Sequence, residues 1–158
     1  MTARLRLALV ASVLFVLSTA VANAGSVTIV VTSVTVTNTY HDIGPKGASA
    51  GDTVVGKDKL LNAAAQFARK KGAGVGVDRG TLLFTGPHTA TFRGVATLPD
   101  GTLILQGVVT GLKNGGLIIP VTGGTGRYAK ARGTLTVGPG KTRALNTYRL
   151  VLPNLPVA

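Results

Sequence analysis

The 158-residue chain offers few side chains that do chemistry. It has no cysteine and no glutamate, and its only imidazoles are those of His41 and His88. Asp42 follows His41 directly, but no other carboxylate stands near either histidine in the sequence. Metal centres and hydrolytic triads need several such ligands, or a nucleophile together with its base. We therefore expect no metal, no cofactor and no hydrolytic site.

One segment comes close to the pattern of a phosphate-binding loop. Residues 51–58 read Gly-x-x-x-x-Gly-Lys-Asp, whereas the loop requires a Ser or Thr at the last position to bind Mg²⁺. Asp58 stands there instead, and its carboxylate would repel nucleotide phosphates. We conclude that the segment binds no nucleotide, and we interpret Asp58 as the N-cap of a helix.

The densest glycine cluster, Gly123, Gly124 and Gly126, separates two β-rich runs in the last third of the chain. A dinucleotide-binding fingerprint needs Gly-x-Gly-x-x-Gly leading into a helix, whereas the run after this cluster has strand character. Glycines tolerate tight turns and close backbone approach. We therefore predict a structural corner between two strands. The side chains displayed around it are Arg127, Tyr128, Lys130 and Arg132.

We expect strands to position these residues, because valine and threonine, which are enriched in β-strands, are abundant in the chain. Residues 26–40 alternate Val or Ile with Thr or Ser, which is typical of a strand with one buried face. Asp100-Gly101 is a strong hairpin signal, and Gly/Pro clusters separate the other runs. Eight strands are predicted, over 27–40, 52–56, 75–85, 89–98, 102–110, 117–121, 131–137 and 144–152.

Between the second and third predicted strands, the spacing of Leu60, Ala64 and Phe67 indicates one short helix over about 59–70, ended by Gly72. The short connections elsewhere favour sequential antiparallel pairing. Eight strands with alternating faces can close into a barrel. An open β-sandwich is the alternative, because the alternation is the same in both architectures.

The N-terminus is typical of an export signal. Two arginines precede an apolar core over 7–17, and Ala22-Asn23-Ala24 is a small-x-small cleavage site. The apolar core is shorter than the ~20 residues that span a bilayer. We predict that residues 1–24 are a signal cleaved after Ala24. Residues 25–158 would then form a single secreted or periplasmic domain without stable membrane insertion.

The chain is strongly basic, with a formal net charge of +12. The basic residues are scattered, and the aromatic residues beyond the signal do not cluster with them. Nucleic-acid binding needs basic groups interleaved with stacking aromatic rings. We therefore predict a solvated basic surface that binds no nucleic acid. A basic, envelope-associated structural protein stays open as one alternative function.

Four segments follow one another in a recognisable order. They are Tyr40-His41-Asp42-Ile43 with its Gly/Pro loop, VGVDRG at 75–80, LPDGTLILQG at 98–107 and VTGGTGRYAKARGTLTV at 121–137. Together they resemble the dirigent and allene oxide cyclase-like barrel family, over about residues 27–152. The resemblance favours an all-β, eight-stranded antiparallel barrel over the sandwich, and the signal and composition suit a bacterial exported member.

The resemblance implies a barrel that binds a small hydrophobic molecule and orients it for stereoselective coupling or cyclisation. An allene oxide cyclase-type isomerase is the alternative, with Asp42 as the acid–base group and Arg132 as the cation for an anionic oxygen. Tyr40, His41 and Tyr128 are the expected ligand contacts. The competing interpretations make Asp42 a turn cap, Arg132 a tie to backbone carbonyls and Tyr128 a core residue. Self-association into a dimer or trimer is expected by analogy alone.

Overall fold

The computed structural model describes residues 24–112 and 116–153. The signal predicted over residues 1–24 lies outside this part except for Ala24, so export and cleavage stay predictions. Eight strands make up most of the described chain. They are β1 (Gly25–His41), β2 (Thr53–Asn62), β3 (Gly74–Gly86), β4 (Thr89–Leu98), β5 (Gly101–Val109), β6 (Leu117–Gly124), β7 (Arg132–Val137) and β8 (Arg143–Leu152).

Each strand pairs antiparallel with the next, and β8 pairs with β1, which closes the sheet. The eight-stranded antiparallel barrel predicted from the sequence is confirmed. Closure gives every strand two hydrogen-bonded neighbours, so the sheet has no edge strand to protect. Except for β2, the strands begin and end close to the predicted positions.

The helix predicted over about 59–70 is wrong. The chain stays extended as far as Asn62, because Leu60 and its neighbours pair with β1 on one side and with β3 on the other. Two ladders of backbone hydrogen bonds outweigh a weak local preference for helix. Beyond the strand, Phe67 and Ala68 adopt left-handed backbone conformations, with φ of 55° and 51°, which an α-helix excludes.

The buried apolar side chains concentrate at one end of the barrel, which we call the closed end. It is formed by the start of β1 and by the β2–β3, β4–β5 and β6–β7 connections. The side chains fully enclosed there include Val31, Leu60, Leu103, Tyr128, Tyr148 and Leu150. The opposite end, which we call the open end, carries the β1–β2, β3–β4, β5–β6 and β7–β8 connections.

The glycine cluster forms the corner between β6 and β7 at the closed end. Gly123 and Gly124 are the last residues of β6, and Gly126 opens a single 3₁₀ turn. Gly126 has a φ of 59°, and a Cβ at this position would collide with the backbone of the β4–β5 turn at Asp100–Gly101. Tyr128 in this corner is buried rather than displayed, with 1% of its surface exposed.

One buried amide organises the connection between β2 and β3. Asn62 Nδ2 donates to the carbonyl oxygens of Gln66 at 2.8 Å and Arg69 at 3.0 Å. The Gln66 amide in turn bonds both backbone groups of Val30 in β1, at 3.1 Å from the backbone nitrogen and 2.6 Å from the carbonyl oxygen. Two side-chain amides therefore tie this connection to the barrel.

We predict that Asn62→Ala lowers the free energy of unfolding by about 1–3 kcal/mol, because the connection loses its buried donor. Denaturant unfolding followed by circular dichroism measures this change. Gln106→Ala, which truncates an exposed side chain on β5, is the control and should change stability by less than about 0.5 kcal/mol. Equal losses in the two variants would contradict the role given to Asn62.

Candidate functional site

A cavity of about 220 Å³ lies in the half of the barrel nearest the open end. Leu105 and Leu135 belong both to the cavity wall and to the buried core, so the core forms the cavity floor. The other apolar residues of the wall include Val54, Leu82, Phe92, Leu117, Ile119 and Val137. A concave apolar space with few polar groups is the usual form of a small-molecule site.

The space exists partly because one stretch of the sheet carries no side chains. Gly56, Gly80 and Gly94 lie side by side across β2, β3 and β4. The ring of Phe92 covers two of them, and a Cβ built on Gly94 would lie 2.6 Å from Phe92 Cε1. Adjacent glycines therefore let an aromatic ring approach the backbone closely and leave volume beside it.

Two carboxylates stand opposite each other in the cavity wall. Asp58 of β2 and Asp78 of β3 are directly paired across the two strands, and both line the cavity. Burial, together with the negative charge of Asp58, raises the pKa of Asp78 to about 7. A carboxyl group with this pKa can both donate and accept a proton near neutral pH. The pair is therefore the strongest candidate for chemistry in the described part of the chain.

Buried polar groups accompany the carboxylate pair. Tyr148 is fully buried, and its hydroxyl has no hydrogen-bond partner among the described residues. Burial and the charges of Asp78 and Asp58 raise the pKa of this hydroxyl. Tyr148 does not itself line the cavity, whereas Asn146 and Ser33 do, with Ser33 Oγ 3.5 Å from Asn146 Oδ1. Of the buried polar side chains, those that reach the cavity are therefore Asn146 and Ser33.

Tyr40 anchors the β1–β2 connection at the open end. Its hydroxyl donates to Asp52 Oδ2 at 2.8 Å, which raises the Tyr40 pKa to about 12, and its ring packs edge-on against Phe84. Asp52 also accepts hydrogen bonds from the backbone nitrogens of Ile43 at 2.9 Å and Ser49 at 2.7 Å. The bond from Ile43 contributes most to holding the pKa of the Asp52 carboxyl well below its ordinary range.

The structure does not bring Asp42 and Arg132 together. Asp42 begins the β1–β2 connection at the open end, whereas Arg132 is the first residue of β7 at the closed end. The antiparallel strand order causes this separation, because odd and even connections lie at opposite ends. The Arg132 guanidinium donates to the carbonyls of Thr122 and Ala131 and so ties the corner. The pair required by the isomerase hypothesis is therefore not formed.

The other two expected ligand contacts also lie apart from the cavity wall. His41 is the last residue of β1 and is exposed. Tyr128 is enclosed at the closed end, where burial raises its pKa to about 12. The cavity wall thus includes none of the five site residues that the resemblance implied.

Sequence reasoning missed Asp58 and Asp78. From the sequence we interpret Asp58 as the N-cap of a helix. Asp78 lies within a predicted strand and has no role assigned to it. A signal was present, because side chains on a strand alternate between its faces. Asp58 lies two residues before Leu60, and Asp78 lies four residues before Leu82. Both carboxylates therefore lie on the same, inward face of their strand as a buried leucine.

Two structural absences hold for residues 24–112 and 116–153. No three histidine or aspartate side chains in these ranges are grouped so as to hold a metal ion. The same residues include no helix that is long and apolar enough to cross a membrane.

The chain belongs to a family defined by this barrel. Residues 30–152 match the model of the Allene oxide cyclase barrel like domain, which covers most of the chain. The resemblance to dirigent and allene oxide cyclase-like barrels noted in the sequence is confirmed by this match. A search of curated proteins gives no match.

Solved structures resemble the barrel over most of its length. A pyocyanin demethylase is 25% identical with a TM-score of 0.67, and the match covers 78% of this chain and 99% of that one. A pterocarpan synthase dirigent protein is 15% identical with a TM-score of 0.59, covering 86% and 88%. The exo-specific intermolecular Diels-Alderase AbnU is 16% identical with a TM-score of 0.62, covering 82% and 98%. The last two matches support the fold alone.

We predict that Asp78 makes the protein less stable as the pH rises from about 4 to about 7. Its pKa in the folded state lies above its ordinary value of 3.8, so the unfolded chain releases this proton first and stability is lost through that window. Asp78→Asn cannot ionise. Thermal melts should therefore show the variant more stable than the wild type at about pH 8 but not at about pH 3.

The control for this experiment is Asp42→Asn, which neutralises an exposed carboxylate outside the cavity. It should retain the pH dependence of the wild type. An Asp78→Asn protein whose melting temperature follows the same pH profile as the wild type would show that Asp78 is not protonated in the folded state at neutral pH.

Proposed function

We propose that the protein binds a small hydrophobic molecule inside the barrel and orients it for stereoselective coupling or cyclisation. The observation that carries the proposal is the pairing of Asp58 with Asp78 in the wall of an otherwise largely apolar cavity. Support also comes from the neighbour named a pyocyanin demethylase, while the dirigent protein and the Diels-Alderase share the fold. Export to a secreted or periplasmic location, predicted from residues 1–24, is part of the proposal.

The cavity volume limits the size of the ligand. An apolar cavity of about 150 Å³ holds benzene, and pockets for drug-sized ligands begin at about 300 Å³. A volume of about 220 Å³ lies between these values. The cavity therefore suits one aromatic ring with substituents, or a compact bicyclic molecule, without rearrangement of the wall.

Asp78 supplies the proton transfer in this proposal. In its protonated form it gives the proton to an oxygen of the bound molecule as a new bond closes a ring. The carboxylate left behind then takes the proton released by another atom of the same molecule, so Asp78 is regenerated. Burial and the charge of Asp58 keep the proton on Asp78 near neutral pH.

The residues of the cavity wall also bear on the two alternative functions. In an isomerase, Asp78 would take the acid–base role that sequence reasoning gave to Asp42, because Asp78 lines the cavity and Asp42 does not. A purely structural envelope protein has no use for two carboxylates facing each other in an apolar cavity. Repulsion between them would only lower its stability.

We predict that Ala144→Phe weakens ligand binding, because this residue lines the cavity and a ring there would occupy much of it. Native mass spectrometry against one-ring and two-ring aromatic compounds identifies a binder, and calorimetry measures its Kd. Affinity should fall at least about tenfold in the variant, a loss of about 1.4 kcal/mol or more. Leu145→Phe is the matched control, since Leu145 is the next residue on the same strand and is 53% exposed. Equal affinities in the two variants would place the ligand outside the barrel.

We predict that the protein orients a coupling reaction and that Asp78 transfers the proton during ring closure. A para-substituted phenol is oxidised by an external one-electron oxidant, and the enantiomeric excess of the coupled, ring-closed product is measured by chiral chromatography. The wild type should give an excess that Ala144→Phe removes. Asp78→Asn should slow ring closure on the order of 10²-fold while binding changes little, because only the proton transfer is lost. A racemic product from a wild-type protein that binds the phenol would contradict the orienting role.

A further inference from the structure

We propose that the ligand is a small aromatic acid carrying a hydroxyl group at the end opposite its carboxylate. Its ring fills the cavity, its hydroxyl meets Asp58 and Asp78, and its carboxylate stays at the open end beside Lys141 and Arg143. This inference rests on the proposed function, because it names the ligand class of the same cavity.

The ionisable side chains of the cavity wall are divided by charge. Asp58 and Asp78 lie on β2 and β3, whereas Lys141 lies on the β7–β8 connection and Arg143 is the first residue of β8. Both cations are exposed at the open end. No carboxylate of the described residues lies within ion-pair distance of either cation. The open end therefore presents two positive charges that no anion of the described chain neutralises.

The backbone that carries these cations is fixed to the barrel. Thr35 N of β1 donates to Thr142 O at 3.0 Å, between the two basic residues. Gly140 has a φ of 156°, and a Cβ there would collide with the Arg143 carbonyl, so the tight path of the connection requires glycine. Little backbone freedom remains to be lost when an anion binds to these side chains.

This division of charge determines which end of a ligand enters first. A carboxylate is attracted by the cations at the open end and repelled by the carboxylate pair inside. Arginine binds carboxylates through charge-assisted hydrogen bonds. A ligand hydroxyl can donate to Asp58 or Asp78, which both line the cavity. A cationic ligand would be repelled by Lys141 and Arg143 at the open end before it could reach the carboxylate pair that attracts it.

The experiment compares three probes by calorimetry at low salt: 4-hydroxybenzoate, its methyl ester and 4-methoxybenzoate. The acid should bind about tenfold more tightly than the ester, which lacks the charge-assisted bonds. It should bind about fivefold more tightly than 4-methoxybenzoate, which lacks the donor for the carboxylate pair. Raising the salt concentration should weaken binding of the acid and leave that of the ester unchanged.

The decisive variant carries Lys141→Gln and Arg143→Gln, with Lys70→Gln and Lys71→Gln as its control. Lys70 and Lys71 lie on the β2–β3 connection at the closed end, so the control removes the same charge from the far side of the barrel. The first variant should lose about tenfold in affinity for 4-hydroxybenzoate and less than about twofold for the ester. The control should change neither, and melting curves verify that both variants fold.

Each outcome decides the question. Equal binding of acid and ester by the wild type, or an equal loss of affinity in the two double variants, overturns the ligand class. Binding of the ring itself, and with it the proposed function, would then stand. If none of the three probes binds, the ligand class is overturned. If in addition no aromatic compound of the wider screen distinguishes Ala144→Phe from Leu145→Phe, the proposed function fails as well.

Discussion

Closure of the sheet is the constraint on which the rest of this structure depends. Because β8 bonds to β1, every inward side chain competes for one enclosed volume. An eight-stranded barrel is just wide enough to be filled by side chains or to hold one small ligand. In this chain large residues such as Tyr148 and Leu103 fill one half of the barrel, and a cavity of about 220 Å³ lies in the other.

The carboxylate pair works against stability. Like charges directly opposite on neighbouring strands repel, and removal from water disfavours the charged form further. Burial and the charge of Asp58 together raise the pKa of Asp78. Ionisable groups with strongly shifted pKa values concentrate at binding and catalytic sites, where the unfavourable arrangement is what the chemistry uses. Asp58 and Asp78 are therefore better explained by a place in a functional site than by any role in folding.

Much of the fold could be predicted from the sequence, and most of the site could not. Hairpin and Gly/Pro signals mark the ends of strands locally, so most strand positions were predicted closely. The pairing of Asp58 with Asp78 depends on the register of β2 against β3. This register shifts between Leu60 and Leu61, and no local sequence pattern predicts it. Because a helix was predicted over about 59–70, the second half of β2 was not predicted as a strand. Family motifs suggested Asp42 and Arg132, but motifs do not say at which end of a barrel a residue lies.

The concentration of the core towards the closed end has a consequence for how such a barrel can change over time. Most of the fully buried side chains lie near the closed end, so exposed residues of the cavity wall such as Thr37 and Asn38 can be replaced with little effect on core packing. A new specificity can then arise by a few surface-proximal replacements without a stabilising mutation having to come first. One scaffold can in this way come to serve unrelated reactions.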